Sequence, residues 1–296
     1  MGLTFVRIPD NFICYKFNKT QYHKISWFLK SAGNGKFKKK NYHAVFLGSS
    51  QCYYGINDSI LGEGYLNLGM NTPSRDLDLY LKEKFILSGG HSENYIVILG
   101  DGKFVSYGLH PLIPYLVKPS WLVSKGQSLI SIHFWKYCTT RIQAVFDYFS
   151  WLLAKPDITN KFNSRDFGVG YLDRVTNKKQ IIQSVCIDPR NEPYVNSNSV
   201  SLFDEALHNI KSQWNFMDCN ENLHNNKYLV MPSFESSNSF DLSNKNIVSF
   251  NRNKVFVNVE TKNIKNLLID SIYWADQGHL NRNGNIFYTK LLAELL

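Results

Sequence analysis

Four short runs constrain this chain more than anything else in it: HAVFL (43–47), NYIVILG (94–100), KYLVMPSF (227–234) and KVFVNVE (254–260). NYIVILG is apolar at consecutive positions, which marks a strand buried on both faces, since a strand with one wet face alternates. A further short run, YLNLG (65–69), reads as the second strand. Helical patterns separate these runs. In SRDLDLYLKEKFILS (74–88), Leu77, Leu81, Phe85 and Ile86 recur at helical spacing behind Ser74, a suitable N-cap. TTRIQAVFDYFSWLLAK (139–155), SVSLFDEALHNIKSQW (199–214) and the closing NIFYTKLLAELL (285–296) read as further helices. Strands alternating with helices predict βαβ units and a parallel sheet, hence a three-layer α/β/α sandwich. One domain is expected over 1–296, with an N-terminal extension at 1–41 and a helical insertion capping the sheet at about 103–198.

With 296 residues, 44% of them hydrophobic, the chain can bury a sizeable core. Its formal charge of +9 is spread along the length, with one dense run, KFKKK (36–40). That run lacks the interleaved aromatics or base-reading helix of a nucleic-acid site and reads as a solvated linker. A basic balance suits an anionic partner such as an acidic glycan. The five cysteines (Cys14, Cys52, Cys138, Cys186 and Cys219) are widely spaced, with no C-x-x-C pair and no histidine at ligand spacing, so a reduced compartment without structural zinc is expected. No signal peptide or bilayer-spanning run is read, and the expected location is cytoplasmic.

Reactive groups in an open parallel sheet gather at the carboxyl ends of strands. There the first strand runs into Gly48-Ser49-Ser50. Gly48 permits a tight turn, and Ser50 would sit where the strand hands over to a helix, its N–H facing the crevice. Serine is also a favoured N-cap, so these residues taken alone read as a cap. At the other end, DSIYWADQGHLNRNG places Asp276 and His279 three apart ahead of the last helix. That spacing lets the carboxylate accept from one ring nitrogen while the other faces a serine.

Three blocks, FLGSS (46–50), LNLGM (66–70) and DQGHLNRNG (276–284), together resemble the SGNH (GDSL-like) hydrolase superfamily, with its flavodoxin-like fold. The G-S-S form is similar to the branch containing D-alanine-transfer-type and polysaccharide-modifying proteins. The resemblance implies Ser50 as nucleophile, His279 as general base and Asp276 as its partner, with Ser50 N–H and Gly69 N–H forming the oxyanion hole. No cofactor is expected, and no metal, since the remaining histidines show no ligand spacing. The family's G-x-N-D block departs here to Gly100-Asp101-Gly102-Lys103, so the third donor is lost, supplied elsewhere, for example by Asn71, or unnecessary.

The implied function is serine-dependent removal of O-acyl groups from a carbohydrate, such as a bacterial surface polysaccharide. The same acyl-enzyme also allows O-acyl transfer from a donor. A non-catalytic glycan-binding module on this fold is the alternative from another class, and no nucleic-acid partner is expected. Asn67 is read as tying down the loop of Gly69, and Asn281 and Gly284 as shaping the turn into the last helix. His91 and His110, flanking the third strand, are weak candidates for lining the crevice. The aromatics at 134–151 read as helix core rather than a sugar-stacking platform.

Overall fold

The computed structural model describes residues 2–71, 74–99, 110–126, 129–154, 226–230, 247–250, 253–257, 271–276 and 278–293. After a 3₁₀ turn at Gly2–Phe5 come α1 (Asp10–Phe17), α2 (His23–Gly33), β1 (Asn41–Gly48), α3 (Ser50–Gly55), α4 (Asp58–Leu61), β2 (Tyr65–Asn67), α5 (Arg75–Leu87) and β3 (His91–Leu99). Helices α6 (Ile113–Leu116), α7 (Pro119–Ser124) and α8 (Ile132–Ala154) follow, then β4 (Asn226–Val230), β5 (Ile247–Phe250) and β6 (Asn253–Val257). The tail comprises a 3₁₀ turn at Ser271–Tyr273, β7 (Trp274–Asp276), β8 (His279–Leu280) and α9 (Arg282–Ala293).

The main sheet has the order β2-β1-β3-β4-β6-β5. Every neighbouring pair is parallel except β5 and β6. Strand β1 lies between β2 and β3, so the chain leaves it to one side and later returns on the other. The carboxyl end of β1 is therefore a topological switch point, where adjoining loops diverge and leave a crevice.

Helices flank both faces of this sheet, an arrangement compatible with the expected α/β sandwich. Val45 and Leu47 of β1 and Tyr95 of β3 join one cluster with Phe12 and Ile13 of α1, Ile25 and Phe28 of α2, Leu81 and Phe85 of α5, and Tyr137 and Val145 of α8. The intervening side chains, Ala44, Phe46, Ile96 and Ile98, join a second cluster with Cys52 of α3, Ile56 just after it, Trp274 of β7 and Tyr288 and Leu292 of α9.

The first 41 residues, set apart above as an extension, thus supply two helices to the same core as β1. Helix α2 buries Lys24, Ser26 and Ser31 together with its apolar residues, which blurs the helical period in the sequence. In the 36–40 run the four lysines are exposed but Phe37 is fully buried, its ring against Phe28 and Phe85. Arg141 of α8 ties this region to the following helices. Its buried guanidinium donates to Thr4 O and Val6 O on one side and to Pro114 O and Tyr115 O on the other.

Several boundaries move. The second strand stops at Asn67, whose side-chain oxygen accepts from Gly69 N–H and whose Nδ2 donates back to Cys52 O and Ile56 O. The third strand starts earlier, at His91, and the helix expected from 139 starts at Ile132. Its aromatics divide: Phe134 and Tyr137 are buried and Tyr148 and Trp151 pack on the core, whereas Trp135, Phe146 and Phe149 are exposed. Ser74 caps α5 as read, accepting from Leu77 N–H. Residues 103–109, 127–128 and 155–198 of the expected insertion, the helix at 199–214, and Cys186 and Cys219 lie outside the described residues; Cys14, Cys52 and Cys138 are free thiols.

Gly284 in the first turn of α9 has no room for a side chain, since a Cβ there would run into the backbone oxygen of Tyr273. Gly33, closing α2, faces open space. We expect Gly284→Ala to lower the urea unfolding midpoint by the equivalent of about 1–3 kcal/mol through overpacking. Gly33→Ala is expected to leave the midpoint unchanged or raise it slightly, by under about 1 kcal/mol. Equal midpoints for the two variants would contradict the close packing of α9 on the 3₁₀ turn.

Candidate active site

Strand β1 ends on a residue that only glycine satisfies. Gly48 has φ +132, and a Cβ there would lie 2.6 Å from Ile98 O of the adjoining strand. Its N–H donates to Asp78 Oδ1 of α5 (3.1 Å), and its carbonyl accepts from Met70 N–H (2.9 Å). Held from both sides, the chain turns at once into α3. Ser49 takes the N-cap position but its hydroxyl makes no cap bond. Ser50 is the first helical residue, where an N–H has no acceptor within its own helix.

The opening serines are therefore not a conventional cap. Ser50 Oγ lies 2.8 Å from His279 Nε2, across 229 positions of sequence. His279 Nδ1 lies 2.7 Å from Asp276 Oδ1. A carboxylate can only accept, so the proton sits on Nδ1, and Nε2 keeps the lone pair to which the Ser50 hydroxyl donates. Asp276 Oδ1 also accepts from Gly278 N–H (3.0 Å), which closes the β7–β8 turn around the carboxylate. Asp276 and His279 keep 38% and 29% of their side-chain surface, so the relay borders solvent rather than the core.

The tail is docked by polar staples. Asn281 accepts from Gly284 N–H to cap α9 and donates to Ile272 O (2.6 Å), so its expected turn-shaping role has a direct basis. Asn285 Nδ2 donates to Tyr54 O, and Thr289 Oγ1 accepts from Asn57 N–H (3.0 Å), fastening α9 to both sides of the α3–α4 turn. Gln51 Nε2 donates to Gly278 O, and Tyr54 sets its ring edge-on to His279. Asn285, Thr289, Gln51 and Tyr54 were missed in the sequence. Their signal was there: Asn285, Tyr288, Thr289 and Leu292 are all buried at spacings of three and four, which puts two polar groups on the apolar face of the last helix.

One expected donor needs correcting. Gly69 N–H does not face the crevice but donates to Asn67 Oδ1 at 2.8 Å. A Cβ on Gly69 would meet Cys52 Sγ at 2.6 Å, so this glycine serves close packing against α3. Asn67 indeed ties down its loop: fully buried, it also donates through Nδ2 to Cys52 O (2.9 Å) and Ile56 O (2.7 Å). Asn71 follows in the same turn and is half-buried. His91 is exposed at the amino end of β3, opposite the crevice, paired in register with Asn41. His110 is buried, with Nδ1 accepting from Leu112 N–H. Gly100, Asp101, Gly102 and Lys103 lie outside the described residues.

Asp78, which grips Gly48, was also missed. Burial pushes its carboxyl up to about 7, against the pull of the Gly48 N–H. Because the folded value lies above the unfolded one of about 3.9, folding takes up a proton between the two. Asp78 thus favours the folded state most below the unfolded value, and that advantage is lost as pH rises through about 7. Asn at this position keeps an oxygen for Gly48 N–H and carries no titrating proton. We expect the urea midpoint of the wild type to fall relative to that of Asp78→Asn between about pH 4 and 7; parallel pH curves would contradict this reading. No family model, curated protein or solved structure matches the chain.

Proposed function

We propose that the chain is a serine-dependent acyl-ester hydrolase of the SGNH (GDSL-like) type, on the flavodoxin-like α/β/α fold with a helical cap. It acts on O-acyl groups of a carbohydrate, such as a bacterial surface polysaccharide, through an acyl-enzyme at Ser50. The observation that carries this reading is the unbroken relay Ser50–His279–Asp276, with contacts of 2.8 and 2.7 Å, at the carboxyl end of β1.

A serine hydroxyl attacks an ester carbonyl only when a base takes its proton as the bond forms. His279 Nε2 is that base, and Asp276 steadies the imidazolium that results. The oxyanion of the tetrahedral intermediate meets Ser50 N–H. With Gly69 N–H engaged elsewhere, the second donor falls to the Asn71 side-chain amide. Met70 N–H on Gly48 O draws that turn level with Ser49, which supports the assignment. Collapse returns the proton from His279 to the departing sugar oxygen. Water, deprotonated by the same imidazole, then releases the acyl group as its acid. A sugar hydroxyl in place of water gives O-acyl transfer through identical steps, with an acyl donor as the first substrate. The net charge of +9 suits attraction to an acidic glycan.

The engagement of Gly69 N–H favours one other reading, a glycan-binding module that keeps the relay without a working oxyanion hole. A fluorophosphonate probe separates the two. We expect the wild type to be phosphonylated at Ser50, Ser50→Ala to be unlabelled, and Asp276→Asn to react roughly 10³- to 10⁴-fold more slowly. A folded wild type that resists labelling would remove the enzyme reading in favour of the binding module.

A further inference from the structure

Against Tyr53 of α3 lies a lysine that the relay does not use. Lys24 of α2 is 2% exposed, and its Nζ donates to Asn67 Oδ1 at 3.1 Å. The ammonium also lies over the Tyr53 ring, 4.9 Å from its centroid. On its other side, the Asn67 amide clasps Cys52 O within α3 and Ile56 O just beyond it. Its backbone N–H is held by Asp58 Oδ2 (2.9 Å).

A six-residue helix cannot hold its own geometry, so α3 takes its orientation from what grips it. Asn67 grips it only while its amide points one way, oxygen toward Lys24 and Gly69 N–H, nitrogen toward the two carbonyls. Flipped, the amide would set its NH₂ against the ammonium and leave both carbonyls without that donor. Lys24 thus adds a charged donor to the contacts with Gly69 N–H, Cys52 O and Ile56 O that set the polarity of Asn67. The amine is held there at a cost, since burial lowers Lys24 to about 8, and an apolar side chain would fill the space without that desolvation.

We propose that Lys24 is a positioning residue for Ser50, acting through Asn67 to hold α3 so that the hydroxyl meets His279. The proposal rests on the reading of Ser50 as nucleophile. It makes α2, from the stretch that the sequence presents as an extension, part of the catalytic support.

The test compares Lys24→Met with Phe37→Leu, a core change in the turn ahead of β1, both under conditions where circular dichroism shows the proteins folded. Two quantities are read: the fluorophosphonate labelling rate at Ser50, and hydrogen exchange at the Tyr53 and Ile56 amides, which bond Ser49 O and Cys52 O. Lys24→Met is expected to slow labelling about 10- to 100-fold and speed exchange at both amides, with β1 amides protected as in the wild type. Phe37→Leu is expected to change neither. Labelling of Lys24→Met at the wild-type rate, or equal slowing by Phe37→Leu, overturns the proposal. Should the wild type itself resist the probe, the nucleophile reading fails on its own, and exchange still decides the clamp: faster exchange at Tyr53 and Ile56 upholds it, unchanged exchange overturns it. Should Lys24→Met not fold, Lys24→Gln takes its place: it removes the charge and shortens the reach toward Asn67, and is judged by the same two readouts.

Discussion

The structure hangs on β1 being dry on both faces. Val45 and Leu47 point one way, Ala44 and Phe46 the other, and all four are buried. An extended segment of this kind can be covered only by helices on each side, with hydrogen-bonding neighbours at both edges. One face draws in α1, α2, α5 and α8; the other draws in α3 and α9. The tail therefore meets α3 over one face of β1 while the first helices cover the other, and the crevice lies at the carboxyl end of that strand.

Apolar burial brings α9 to the sheet but does not decide where His279 points. That falls to buried amides and hydroxyls, whose bonds are directional and costly to leave unmade. Asn281 sets the turn from β8 into α9, and Asn285 and Thr289 fasten α9 to the carbonyl of Tyr54 and the amide of Asn57. On the far side of α3, Asn67 does the equivalent through Cys52 O and Ile56 O. The short helix bearing Ser50 is thereby held between two polar clasps, one from the tail and one from β2.

The residues most legible in advance were those whose chemistry is local. Gly48 and Gly284 stand where no side chain fits, Ser74 caps α5, and Asp276 reaches His279 within one turn. Gly69 misled because glycine has two uses: it can expose an N–H to a ligand, or let a neighbour approach closely. Only the position of Cys52 against it shows that the second applies. Lys24 and Asp78 stayed hidden for a related reason, since a charged residue on a helix normally faces water, and their partners lie on other elements.

The amino-acid sequence by itself determined the alternation of strand and helix, the turn after β1 and the pairing of Asp276 with His279, because each depends on residues within a few positions of one another. Only the tertiary structure decided that Ser50 faces His279, that Gly69 N–H is engaged, and that the first helices belong to the core. Those outcomes depend on which surfaces meet when both faces of β1 are covered, and contacts across more than two hundred residues leave no periodic trace in the chain.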